Sequence, residues 1–152
     1  MYTETLTQRM ALANGIAPQQ LNNARLSSDG IDMLQARRAV FILSIGANAG
    51  SISAWLQESA DNSTWTANDT AGSFSNSGGN NVSQTGLTTA NKLYTFEVRA
   101  GQLSNGKKQA RLNINVSANN NLLAVVSYGD EAQHKPNKLN NAAAVSTQNV
   151  VT

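Results

Sequence analysis

The sequence predicts an all-β protein, an antiparallel β-sandwich or jelly-roll-like domain with extended N- and C-terminal arms, on three observations. Gln109–Val116 alternates strictly. Ala110, Leu112, Ile114 and Val116 fall on one face and Gln109, Arg111, Asn113 and Asn115 on the other, the period of a half-buried strand. Lys92–Arg99 repeats the pattern, with Tyr94, Phe96 and Val98 opposed to Thr95, Glu97 and Arg99. The stretch 37–58 holds two β-like runs, 39–43 and 52–56, around the small, glycine-bounded segment 46–50. That spacing reads as a hairpin closed by a loop of about five residues, and the domain is expected to grow outward from it. The short lengths and β-branched content of these runs disfavour helices.

In order along the chain, residues 1–30 show no sustained period and are expected to form an N-terminal arm. Leu6, Met10, Leu12, Ile16, Leu21 and Leu26 share no single face, and Pro18 could open one helical turn. Residues 31–129 form the sandwich. Residues 31–34 read as a short edge strand after the turn cluster 27–30. Residues 40–45 are apolar on both alternating faces except at Ser44, as expected of a central strand covered on both sides, with Ile52, Ala54 and Leu56 facing the core. Arg37 and Arg38 read as a solvated strand end. Trp55 and Trp65 flank the polar turn 58–63; at least one should pack in or at the rim of the core, whereas an exposed pair would form a sugar-stacking platform. Residues 68–81 are rich in Gly, Ser and Asn, a long loop tethered by Phe74, and residues 82–85 form a short strand ending at Gly86. Asn105-Gly106 marks a turn between the strands at 92–99 and 109–116. Residues 122–128 are apolar on both faces and expected to be buried. Beyond Gly129 the period stops, and residues 130–152 read as a C-terminal arm.

Composition excludes more than it assigns. Charged residues are 13% of the chain and the net charge is +2, too balanced for a nucleic-acid groove or a polybasic membrane patch despite a pI near 9.2. There is no cysteine, hence no disulfide and no thiolate metal site. No window has the length and apolarity of a signal peptide or a membrane span, so neither export nor insertion is expected. The surface rich in Asn, Ser, Thr and Gln would bind through amide and backbone hydrogen bonds and through shape.

No constellation announces chemistry. The single histidine, His134, sits in a loop-like segment beside Lys135-Pro136, and no serine lies in a nucleophile elbow. The nine carboxylates do not cluster in sequence, and residues 61–62 lack the spaced ligands of a calcium loop. The expectation is a non-enzymatic protein with no catalytic, cofactor-binding or metal residues and no cofactor.

Four phrases carry a resemblance: SSDGIDMLQARRAVFILSIG, SAWLQESADNSTWT, LYTFEVRAGQL and AVVSYGDEAQHKPN, within residues 27–137. Together they resemble a family of small virion structural proteins of tailed bacteriophages and prophages, members of which lie near the major capsid gene. The resemblance implies a head decoration, or cement, protein made in the host cytoplasm and carried on the capsid exterior. It would clamp neighbouring major capsid subunits, as a homo-oligomer such as a trimer. The alternatives are a neck or tail component, or a carbohydrate-binding module if Trp55 and Trp65 are both exposed.

Overall fold

In the computed structural model, which describes residues 10–65, 83–117 and 120–132, the chain is built from antiparallel strands. They are β1 (Ala11–Leu21), β2 (Arg25–Ser27), β3 (Ile31–Asp32), β4 (Ala36–Ile45), β5 (Ile52–Ser59), β6 (Ser83–Leu87), β7 (Lys92–Arg99), β8 (Gln109–Val116) and β9 (Asn121–Ala132). Sheet I has the order β1-β9-β4-β7 and sheet II the order β2-β8-β5-β6, with β3 also paired to β8. Apart from β2–β3, which share β8, and β5–β6, which pair directly, every link between successive strands passes from one sheet to the other. With β2 and β3 taken as one interrupted strand along β8, the four-stranded and five-stranded sheets connected in this way are a jelly roll.

The core lies between the sheets. Sheet I contributes Phe41, Leu43, Ile45, Phe96, Val98, Leu123 and Val125; sheet II contributes Ile52, Ala54, Leu56 and the whole apolar face of β8. Ala110, Leu112, Ile114 and Val116 are fully buried, so the alternation read in β8 is the alternation in space.

The expected hairpin at 37–58 does not form. β4 pairs with β7 and β9, whereas β5 pairs with β6 and β8, so the segment between them arches from sheet to sheet. The arch is held by bonds to the ends of neighbouring strands: Gly46 N donates to Leu122 O, Leu122 N to Ala47 O, and Asn48 Nδ2 to Leu87 O. A short glycine-bounded loop suits either geometry, and adjacency in sequence cannot tell pairing from arching. The Asn105-Gly106 turn does form, with Lys107 N bonded to Ser104 O and Gly106 at φ +79°, but it too lies in a link between sheets.

The N-terminal arm also needs correction. Within 1–30, residues 11–21 form edge strand β1 on β9, and Ile16 and Leu21 enter the core. No helical turn begins at Pro18. Register shifts on either side of Ile16 break the two-residue period, which is why this strand carries no alternation in the sequence. β9 runs to Ala132, past the expected boundary at Gly129. His134, Phe74 and most of the segment expected as a C-terminal arm lie outside the described residues.

Candidate functional site

Among the described residues, two surfaces have the character of contact sites. The first is the outer face of sheet I. Cross-strand register puts Leu12 beside Tyr128 and Val40, Val126 beside Ile42 and Thr95, and Leu93 beside Ser44 and Ala124, all on the side away from the core. Leu12, Leu93, Leu122 and Val126 are the exposed large apolar side chains in strands, and all four belong to this one sheet. Two expectations fail here. Residues 122–128 are buried only at alternate positions, with Leu122 and Val126 about half exposed, and Ile42 and Ser44 on β4 are only partly covered. Arg37 is exposed as expected, but Arg38 is half-buried and pairs with Glu97 at 3.4 Å.

The second surface is a cavity of about 410 Å³ at the open edge of the sandwich, where the start of β1 faces the β2–β3 segment. Its construction begins with β8. β2 pairs Ser27 with Asn113, and β3 pairs Ile31 with Ala110. Ser28 fills the place opposite Leu112, giving its N–H to Leu112 O and accepting Leu112 N–H on Oγ. Asp29 and Gly30 are thus two residues set against one, Arg111, a β-bulge at the cavity wall.

The opposite wall is the turn after β5. The Asp61 carboxylate accepts the N–H groups of Thr64 (2.7 Å) and Ser63 (3.0 Å) and the Ser59 hydroxyl (3.0 Å). Those bonds, the Thr64 backbone first, hold its carboxyl far below the ordinary range. The turn presents Asn62, in the left-handed region at φ +60°, and returns Trp65 to bridge Ser59. Both side chains close onto Gly30, where any Cβ would collide with Asn62 Oδ1 and the indole ring. A side chain at this position would have to push Asn62 and the indole aside.

Arg111 joins the two walls. Its guanidinium lies over the Trp65 ring at 4.2 Å, and its Nε donates to Gln57 Oε1 at 2.9 Å. Partial burial pushes its pKa below the ordinary value. Asp32 is committed to its own turn, accepting Leu34 N–H and Gln35 Nε2.

Trp55 is not part of this site. It is 2% exposed on the outer side of β5, with Arg25 5.6 Å from its ring centre, so a platform of two exposed tryptophans does not exist. Asn113, expected to face water, is 3% exposed and donates to Gln57. No group of three or more His, Cys, Asp or Glu side chains among the described residues could hold a metal ion, and no described helix is long and apolar enough to cross a membrane.

The cavity was out of reach of sequence reasoning, because its walls come from residues 11, 13, 28–32, 62, 65, 111 and 129. The only signal was local: an Asp-Asn-Ser-Thr-Trp turn and an Asp-Gly pair, each legible as a turn and neither as a wall.

No family model matches the chain, and no curated protein matches it. A solved structure described by the words "Bacillus endospore appendages form a novel family of disulfide-linked pili" overlaps with 88% of this chain and 99% of its own, at 8% identity and a TM-score of 0.43. A likeness that distant carries no argument about function.

Proposed function

We propose that the protein is a non-enzymatic structural component of a tailed-phage virion, a decoration protein that packs on the outside of the head and stabilises contacts between major capsid subunits. The observation that carries this reading is the outer face of sheet I, which gathers Leu12, Leu93, Leu122 and Val126 on one sheet surface. Scattered exposed apolar residues are ordinary, but four of them on one face of a single sheet make a surface of the kind that a protein interface covers. The low charge of the chain fits a contact made by shape and apolar burial more than by ionic steering. The phage resemblance supplies the partner.

The test is cosedimentation with capsids of the phage that encodes the chain. Wild-type protein should pellet with particles, and the exposed-face variants Val126→Asp and Leu93→Asp should bind at least about tenfold more weakly, as expected for losing an interface anchor. Both side chains are outside the core, so the thermal midpoint should stay close to wild type. Full binding by both variants would remove this face from the interface. A wild-type protein that never pellets with capsids would end the decoration reading.

A further inference from the structure

We infer that the cavity between the Asp29–Gly30 bulge and the Asp61–Trp65 turn is a binding site for a neutral sugar, a pyranose ring lying against Trp65 with its hydroxyls between Asp29, Asn62 and Arg111. The inference is independent of the docking role of sheet I, since the cavity and the apolar face share no large exposed side chain.

Three properties of the lining define the ligand. The first is the aromatic surface. Trp65 is partly exposed and lines the cavity, with Arg111 stacked on one face of its ring. An indole offers apolar area to the C–H face of a ring. The second is the balance of unspent polar groups. Arg111 has used Nε on Gln57, leaving its terminal N–H donors. Asp29 has a carboxylate that neither caps its turn nor meets a cation among the described residues, unlike Asp32 and Asp61. Asp32, also in the lining, spends its carboxylate on its own turn, so the groups left for a ligand are one donor-only cation and one acceptor-only anion. Hydroxyls, which donate and accept, satisfy both without bringing charge, and the Asn62 amide adds one of each kind. A purely anionic ligand would meet Asp29, and a purely cationic one Arg111. The third property is size. At about 410 Å³ the cavity is in the range of small-molecule sites and holds one or two sugar rings.

The bulge and Gly30 show how the chain builds the site. The bulge sets Asp29 and Gly30 against Arg111, and the missing side chain at Gly30 lets the Trp65 turn close over the gap. The same extra residue also turns Ile31 inward, opposite Ala110, into the core.

The two tryptophans make the test internally controlled, because Trp55 is buried on the outer side of β5 and does not line the cavity. In two-dimensional ¹⁵N–¹H spectra of the full chain, D-glucose, D-galactose, N-acetyl-D-glucosamine and lactose are titrated in turn. At least one should shift the Trp65 indole and Asn62 amide signals saturably while leaving the Trp55 indole in place. Glycine, as a zwitterion, and D-glucuronate, as an anion, should shift them less than the matched neutral sugar. Asp29→Asn, which keeps shape and removes charge, should weaken the sugar about tenfold, the loss of one charged hydrogen bond. Arg111→Lys should weaken it similarly, because an ammonium cannot reproduce the planar fork. No saturable shift at Trp65 with any of the four sugars overturns the inference. So does glycine or glucuronate binding as tightly as the best sugar, which would assign the cavity to charge recognition. Unchanged affinity in both variants would also overturn it.

Discussion

At the residue scale, asparagine explains much of the unusual composition. Asn23, Asn62, Asn91 and Asn120 all take positive φ, the region that asparagine tolerates better than other side chains with a Cβ. Others stitch the arches: Asn48 bonds to Leu87 O and Gly50 N, Asn121 accepts Ala49 N–H, and Asn22 accepts Asn120 N–H. A polar, weakly charged composition was legible as surface; its work in turns was not, because left-handed backbone has no sequence period. Buried polar groups make the sharpest stability predictions. Ile114→Ala should cost about 2–5 kcal/mol in denaturant melts, as for any large core truncation. Asn113→Ala, one position along and on the outer face, should cost about 1–3 kcal/mol, because its amide is buried and bonded to Gln57. Ser127 is fully buried with a hydroxyl that has no partner, so Ser127→Ala should stabilise the protein by about 1 kcal/mol. Asp61 gives a pH signature. Its carboxyl is depressed in the folded protein, so the support it lends is complete above the ordinary aspartate value of about 4 and is lost as pH falls through the lower folded value. On acidification the Trp65 signal should change while that of Trp55 holds, and Asp61→Ala should reproduce the change at neutral pH.

At the element scale, strands were far more legible than their pairing. β7 and β8 declared themselves because one face meets the core and the other does not, and their boundaries agree with the structure. β1 was missed because Gly15, Pro18 and two register shifts erase its alternation, and because an edge strand has less burial to write into its sequence. The runs around 40–45 and 122–128 misled in the other direction. Residues apolar on both faces signal double coverage, but here the second face is the exposed side of sheet I. A chain built to be covered by a partner and one covered by its own layers look alike in sequence. The status of β1 can be checked directly. Removing residues 1–21 strips Ile16 and Leu21 from the core and leaves β9 as an open edge. At about 2–5 kcal/mol for each large core side chain, that loss approaches the whole stability of a small domain. The truncated protein should lose its cooperative thermal transition, whereas an N-terminal arm with no part in the core could be removed without that effect.

At the scale of the whole molecule, the connectivity decides how the chain must fold. Except at β5–β6, strands adjacent in sequence are not hydrogen-bonded to each other, so nearly every ladder joins distant segments. Such topologies fold in milliseconds to seconds, and stopped-flow refolding monitored by tryptophan fluorescence should find the main phase in that range and not in microseconds. The fold class was legible because burial period and turn chemistry are local properties. The jelly-roll order and the cavity were not, because both depend on which distant strands share a sheet. The pairing of β1 with β9 has a mechanical consequence. Ala11 lies directly opposite Gly129, so the chain enters the sandwich and leaves it at the same end of two neighbouring antiparallel strands, about 5 Å apart. Tension applied between those two points loads the ladder one rung at a time, as in opening a zipper, instead of shearing all its rungs together. The domain is therefore soft when pulled apart at Ala11 and Gly129, and poorly suited to bearing load there as a link in a chain.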